Sequence, residues 1–121
     1  MKILTRKQFL ALRGEYVYAK YKPSYFYDFG IKMCNSGPDD YCHLDLVENI
    51  EASSSDKYHD KLTEAEENPG EVSLSLDFEN GGRDGMFDDD QLFAIWEDAD
   101  VQAMINRLQQ VLDKTNKYES N

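Results

Sequence analysis

"YVYAKYKPSYFYDFGIKM", residues 16–33, is the stretch on which the fold turns. Val17, Ala19 and Tyr21 interleave with Tyr16, Tyr18 and Lys20. After Pro23-Ser24, the residues Tyr25, Tyr27, Phe29, Ile31 and Met33 recur at every second position. A period of two belongs to strands, whose successive side chains face opposite ways, and Pro-Ser between two such runs is turn chemistry. The stretch predicts a β-hairpin from Glu15 to Met33, with Tyr25, Tyr27, Phe29, Ile31 and Met33 sharing one face.

Upstream, Thr5 and Gln8 stand at capping-box spacing ahead of Phe9, Leu10 and Leu12, and Gly14 closes a short helix over about 5–12. Downstream, "NSGPDD" (35–40) reads as a loop, and Cys42, Leu44 and Leu46 alternate with His43 and Asp45 in a third strand. Ser53–Ser55 can cap a helix over about 55–67, with Tyr58, Leu62 and Ala65 on one side and Asn68-Pro69-Gly70 as its stop. Val72, Leu74, Leu76 and Phe78 alternate with polar residues as a half-buried strand would. Gln91–Trp96 is a further short apolar strand. Beyond it, Asp98 caps a helix whose Val101, Met104, Ile105, Leu108, Val111 and Leu112 form an apolar stripe. From about Lys114 the composition is polar, so residues 114–121 are expected to fray. The expected architecture is one α+β domain over 1–121: an antiparallel sheet of four to five strands with the C-terminal helix packed on one face.

A chain of 121 residues can bury a core without disulfides or metal. It contains no apolar run of signal-peptide or membrane-spanning length, so a cytoplasmic protein is expected. Cys34 and Cys42 lack the CxxC spacing of zinc or redox motifs. A disulfide between them is geometrically possible, but reduced, buried or half-buried thiols suit a cytosolic chain better.

Charge is the strongest functional signal. The net charge is −11. Residues 1–32 carry seven Lys/Arg against two acids, whereas 33–121 carry six against 22. Between Asp39 and Asp100 only Lys57, Lys61 and Arg83 oppose 20 carboxylates. Such a field repels nucleic acid and anionic membrane and speeds encounter with a basic surface. The bland alternative is a coat of acids that serves only solubility.

Other segments carry residue types suited to metal binding, catalysis or base stacking. Numbered from Asn80, the segment 80–91 imitates a calcium loop, with Asn80, Asp84 and Asp88 at ligand positions and Gly85 at the sixth. Gly82 and Gln91 stand where oxygen ligands belong, so no metal or cofactor is expected. Gly81, Gly82 and Gly85 are accounted for by turns needing positive φ. His43 and His59 are the only histidines. Ser53–Ser55, His59 and Asp60 are accounted for by capping and solvation, so no catalytic residue is assigned and an enzyme is not expected. The Tyr-rich hairpin with Lys20 and Lys22 could stack single-stranded bases through Tyr18 and Tyr27. It lacks an RNP motif, however, and the net charge opposes a polyanion.

The remaining candidate is the acidic surface itself. Asp77, Glu79, Asp84, Asp88, Asp89, Asp90, Glu97, Asp98 and Asp100 are expected to gather at one end of the sheet, with Phe87, Met86 or Trp96 as an apolar anchor. The expected partner is the basic, nucleic-acid-binding surface of another protein, met by a monomer. An immunity protein to a nuclease-type toxin, or a calcium-dependent module using 80–91, are the alternatives. "TRKQFLAL" (5–12), "VYAKY" (17–21) and "GRDGMFDDDQLFAIWEDADVQAMINRLQQVL" (82–112) resemble small acidic phage and prophage proteins. That resemblance covers most of the chain and carries no assigned site residue. It implies an inhibitor of host defence complexes, of anti-CRISPR or nucleic-acid-mimic type.

Overall fold

A computed structural model describes residues 1–119, with side chains over residues 1–114. In chain order the elements are β1 (Lys2–Thr5), α1 (Arg6–Leu10), β2 (Tyr16–Lys22), β3 (Tyr25–Gly37), β4 (Asp40–Asp45), α2 (Ser55–Glu67), β5 (Gly82–Arg83), β6 (Leu92–Trp96) and α3 (Asp98–Glu119). The strands form one sheet in the order β1-β6-β2-β3-β4-β5, with every neighbour antiparallel. The fold is α+β, as expected, but the sheet has six strands instead of four to five.

The expected hairpin is present. Pro23-Ser24 makes its turn, with Ser24 at φ 73 and its N–H donating to the Tyr21 hydroxyl at 3.1 Å. Its faces differ from the simple alternation. Tyr18 pairs with Gly30 but Lys20 pairs with Tyr27, so Asp28 and Phe29 together oppose Ala19. This bulge, with Asp28 at φ 54, puts Tyr25 and Tyr27 on the face opposite to Phe29 and Ile31. Asp, like Asn, is found in that left-handed backbone region more often than most side chains.

The core forms where α1 lies on the sheet. Thr5 and Gln8 make the reciprocal capping box, with Gln8 N–H to Thr5 Oγ1 at 3.2 Å and Thr5 N–H to Gln8 Oε1 at 3.0 Å. That start aims Phe9 at the sheet, where it stacks on Phe93 at 4.0 Å between ring centres and meets Tyr18 and Tyr41 at 5.2 and 5.1 Å. All four rings are fully buried, and Ile95 completes the cluster. The β3–β4 hairpin bends over α1: Arg6 donates to the Asp39 carbonyl at 2.6 Å, and Asn35 donates to Leu10 at 2.9 Å. Bulges between Lys32 and Gly37 permit that bend, so residues expected as a loop from Asn35 belong to the strand as far as Gly37.

Three further expectations are corrected. Lys2–Thr5 joins the sheet beside β6, and Gly82–Arg83 pairs with β4; the sequence had assigned neither as a strand. Residues 72–78 are not a sheet strand. Leu76 bridges Ile50 alone, flanked by Glu51 N–H to Ser75 O and Asp77 N–H to Asn49 O. On the outer side of β4 the paired residues are Gly82 and Arg83 of β5, not residues 72–78. Val72 and Leu74 are half-buried, while Leu76 and Phe78 are 38% and 55% exposed.

The third correction concerns α3, which does not bury its stripe on the sheet. Val101 and Met104 are half-buried beside the start of the helix. Ile105, Leu108, Val111 and Leu112 are exposed, Leu108 to 64%. A 22-residue helix is about 33 Å long, more than a strand of five residues can cover. The polar segment expected from 114 is helical to Glu119; its side chains from 115 on, and residues 120–121, lie outside the described residues. Among the described residues no helix is long and apolar enough to cross a membrane.

Candidate functional site

The acidic residues singled out in the sequence divide into three groups. Asp84 is interior. Its carboxylate lies 2.8 Å from Lys20 Nζ, with 4% of the acid's side chain and 9% of the lysine's exposed. Its backbone N–H donates to Tyr41 O at 3.0 Å, continuing the β4–β5 ladder into the loop. Burial beneath this pair holds the Tyr18 and Tyr41 phenols far above their ordinary titration range. Asp84 therefore closes the core and does not face a partner, which overturns its place in the expected array.

In the second group Asp77, Glu97 and Asp100 are engaged by other groups of the protein, while Glu79 and Asp98 are exposed beside them. Asp77 Oδ1 accepts the N–H groups of Glu79 and Asn80 at 2.8 and 3.0 Å, and Oδ2 accepts Asn80 Nδ2 at 2.9 Å. Those bonds hold its carboxyl below the ordinary range. Glu97 and Asp100 hold the Met1 amine at 3.5 and 2.6 Å, and Glu97 also pairs with Lys2 at 3.6 Å. The amine's hydrogen bond lowers the Asp100 pKa. Asp98, exposed, opens α3, and Glu79 is exposed in the turn that Asp77 makes.

The third group is Asp88, Asp89 and Asp90. All are exposed, and none forms an ion pair among the described residues. They enter β6 at one end, whereas Glu97, Asp98 and Asp100 leave it at the other, on the order of 15 Å of strand away. One acidic end of the sheet, as expected from sequence, does not exist: β6 separates the two clusters.

The segment holding the third group is tied down on both sides. At its start, Asp40 is 4% exposed, accepts Gly85 N–H at 3.1 Å and pairs with Arg83 Nε at 3.0 Å. Gly85 takes φ 70 there, a conformation that suits glycine. Gly81 has another role: a Cβ would collide with the His43 carbonyl, so glycine lets β5 approach β4. At the far end, Gln91 Oε1 accepts the Tyr27 hydroxyl at 2.6 Å, and its Nε2 donates to the carbonyls of Tyr21 and Leu92. Between these anchors Met86 and Phe87 are 59% and 60% exposed. Asp88 also stabilises the turn, its Oδ1 accepting Asp90 N–H at 3.0 Å. Asp89 borders an open cleft of about 510 Å³ whose other side carries Arg6 and Lys7.

Sequence reasoning missed Asp40 and Gln91 as the residues that position this loop. Gln91 was visible as the one polar residue at the head of an apolar strand. Asp40 gave no signal, because its partners Arg83 and Gly85 are more than 40 positions away.

The other candidate sites fare differently. The imitation of a calcium loop is dispersed: Asp84 faces Lys20, Asn80 faces Asp77 and Gln91 faces Tyr27. Among the described residues no three His, Cys, Asp or Glu side chains are grouped to hold a metal ion. Tyr18 is buried in the core, so it cannot stack a base. Trp96 packs edge-on against Phe29 at 5.3 Å and lies 6.1 Å from Phe26, which places it in an aromatic cluster of the sheet, whereas Phe87 and Met86 are exposed on the loop. His43 lies on β4, while His59 is exposed on α2 against Tyr58. Comparison with protein-family models, curated proteins and solved structures finds no match to this chain.

Proposed function

We propose that this chain is a non-enzymatic binding protein whose 86–90 loop occupies a basic, nucleic-acid-binding surface of another protein. One observation carries the reading. An exposed phenylalanine and three carboxylates without ion pairs among the described residues project from a loop anchored at Asp84 and Gln91. Anchoring reduces the entropy lost on docking, an apolar side chain within a charged rim is hot-spot geometry, and the carboxylates steer approach. A host nuclease or defence complex offers such a basic surface, and so does a toxin nuclease met by its immunity protein. Both partners would use the same loop.

The test begins with capture of a partner from the natural host, followed by binding kinetics. Replacing Asp88, Asp89 and Asp90 with Asn should slow association and flatten its salt dependence, because charge steering is screened over about 10 Å at 0.1 M salt. Phe87→Ala should instead raise the off-rate, by on the order of tenfold or more if it is a hot spot. A folded triple variant that binds with unchanged rate and salt dependence would leave the acids as a solubilising coat.

A further inference from the structure

The two cysteines meet across the β3–β4 hairpin. Lys32 pairs with His43 and Asn35 pairs with Tyr41, so Met33 and Cys34 together oppose the single residue Cys42. This bulge sets the Cys34 side chain against Cys42. The neighbouring Cys34 thiol, followed by burial and the charge of Asp40, raises the Cys42 pKa above its ordinary 9.0. Cys34 is exposed and Cys42 half-buried, so a reagent in solvent reaches Cys34 first. Among the described residues no third ligand joins them in a metal-sized group.

We propose that Cys34 and Cys42 form a thiol–disulfide exchange pair, Cys34 attacking and Cys42 resolving, which a small-molecule disulfide such as oxidised glutathione closes into a cross-strand bond. Cys34 loses its proton to solvent, and its sulfur attacks one sulfur of glutathione disulfide. The glutathione S–S bond breaks, a mixed disulfide forms on Cys34, and one glutathione thiolate leaves and is protonated. Cys42 then loses its proton, and its sulfur attacks that of Cys34. The mixed disulfide breaks, the Cys34–Cys42 bond forms, and the second glutathione leaves and is protonated. The protein gives up two electrons and two protons, and glutathione disulfide takes up both. A dithiol reverses the sequence. An exposed thiol beside a resolving partner is the arrangement that limits oxidation to this reversible stage. The bond would tie β3 to β4 next to Arg83, the register partner of Cys42 on β5, and so at the root of the 86–90 loop.

The experiment treats the reduced full-length chain with oxidised glutathione, blocks free thiols by alkylation and reads intact mass and peptide maps. The proposal expects both cysteines to escape alkylation together, a mass lower by two hydrogen atoms, an intrachain link between the Cys34 and Cys42 peptides, and full reversal by dithiothreitol. In Cys42→Ser the reaction should stop with one glutathione on Cys34. In Cys34→Ser, Cys42 should stay open to alkylation over the same period. Wild-type chain that keeps glutathione on Cys34 while Cys42 is alkylated, or that links to a second chain instead, overturns it. The wild-type arms need no substitution, and far-UV circular dichroism of the two serine variants shows whether their arms report on folded protein.

Discussion

Lys20 Nζ and Asp84 Oδ1 lie 2.8 Å apart with both side chains buried, joining the second strand of the sheet to the first residue beyond its fifth. Without Lys20 the buried Asp84 carboxylate has no cation within ion-pair distance among the described residues, whereas without Asp84 the Lys20 ammonium keeps the half-exposed Asp28 carboxylate at 3.7 Å. Lys20→Met should therefore destabilise by about 3 kcal/mol or more, Asp84→Asn by less, and the double change Lys20→Met with Asp84→Leu should cost less than Lys20→Met alone. Urea unfolding of the two single variants and the double variant measures the difference. Any lost partner binding in Asp84→Asn should then scale with the unfolded fraction.

Phe9 and Leu108 both belong to apolar stripes, yet only Phe9 is enclosed. Phe9→Ala should cost about 3–5 kcal/mol, as expected for an aromatic side chain removed from a packed core. Leu108→Ala should stay within about 0.5 kcal/mol, since surface changes away from packing rarely do more. Comparable losses in a denaturant titration would show that α3 packs after all.

Asp77 titrates below the ordinary carboxylate value of 3.8 because its oxygens accept the Glu79 and Asn80 bonds. A depressed folded pKa means a contribution that is complete above 3.8 and lost as pH falls through the lower folded value. Carboxyl chemical shifts followed by NMR should show this midpoint below 3.8. Asn80→Ala should move it part of the way back, since one of the three bonds comes from that side chain.

Lys32 is 1% exposed, with its ammonium 3.4 Å from the Leu12 carbonyl and 5.6 Å from the Phe9 ring centre. Burial lowers its pKa from 10.5. On this group the folded state therefore binds fewer protons than the unfolded state between the two values, so the Lys32 contribution to stability should rise with pH across that window and level off above 10.5. Lys32→Met should remove this rise. Urea midpoints at several alkaline pH values compare the two proteins.

Period-two alternation and a Pro-Ser turn were enough to place the Tyr16–Met33 hairpin, because neighbouring strand residues need no distant partner to reveal their pattern. The capping box at Thr5 and Gln8, the α2 start at Ser54–Ser55 and the apolar run of β6 were legible for the same local reason. The pattern of 72–78 was equally regular and misled, since alternation shows that a segment can join a sheet but not whether the tertiary structure brings it beside one. Lys2–Thr5 and Gly82–Arg83 are too short to show a period, and pairing alone makes them strands.

The acidic surface divides in the same way. Composition and charge asymmetry determined that this chain presents carboxylates, and Phe87 beside Asp88–Asp90 was visible as written. Only the tertiary structure decided which acids remain available. Asp84 and Asp40 are drawn inward to Lys20 and Arg83, Glu97 and Asp100 are taken up by the Met1 amine, and β6 holds the remaining clusters apart. An ion pair depends on distance in space, and each of these forms between residues more than 40 positions apart in the chain.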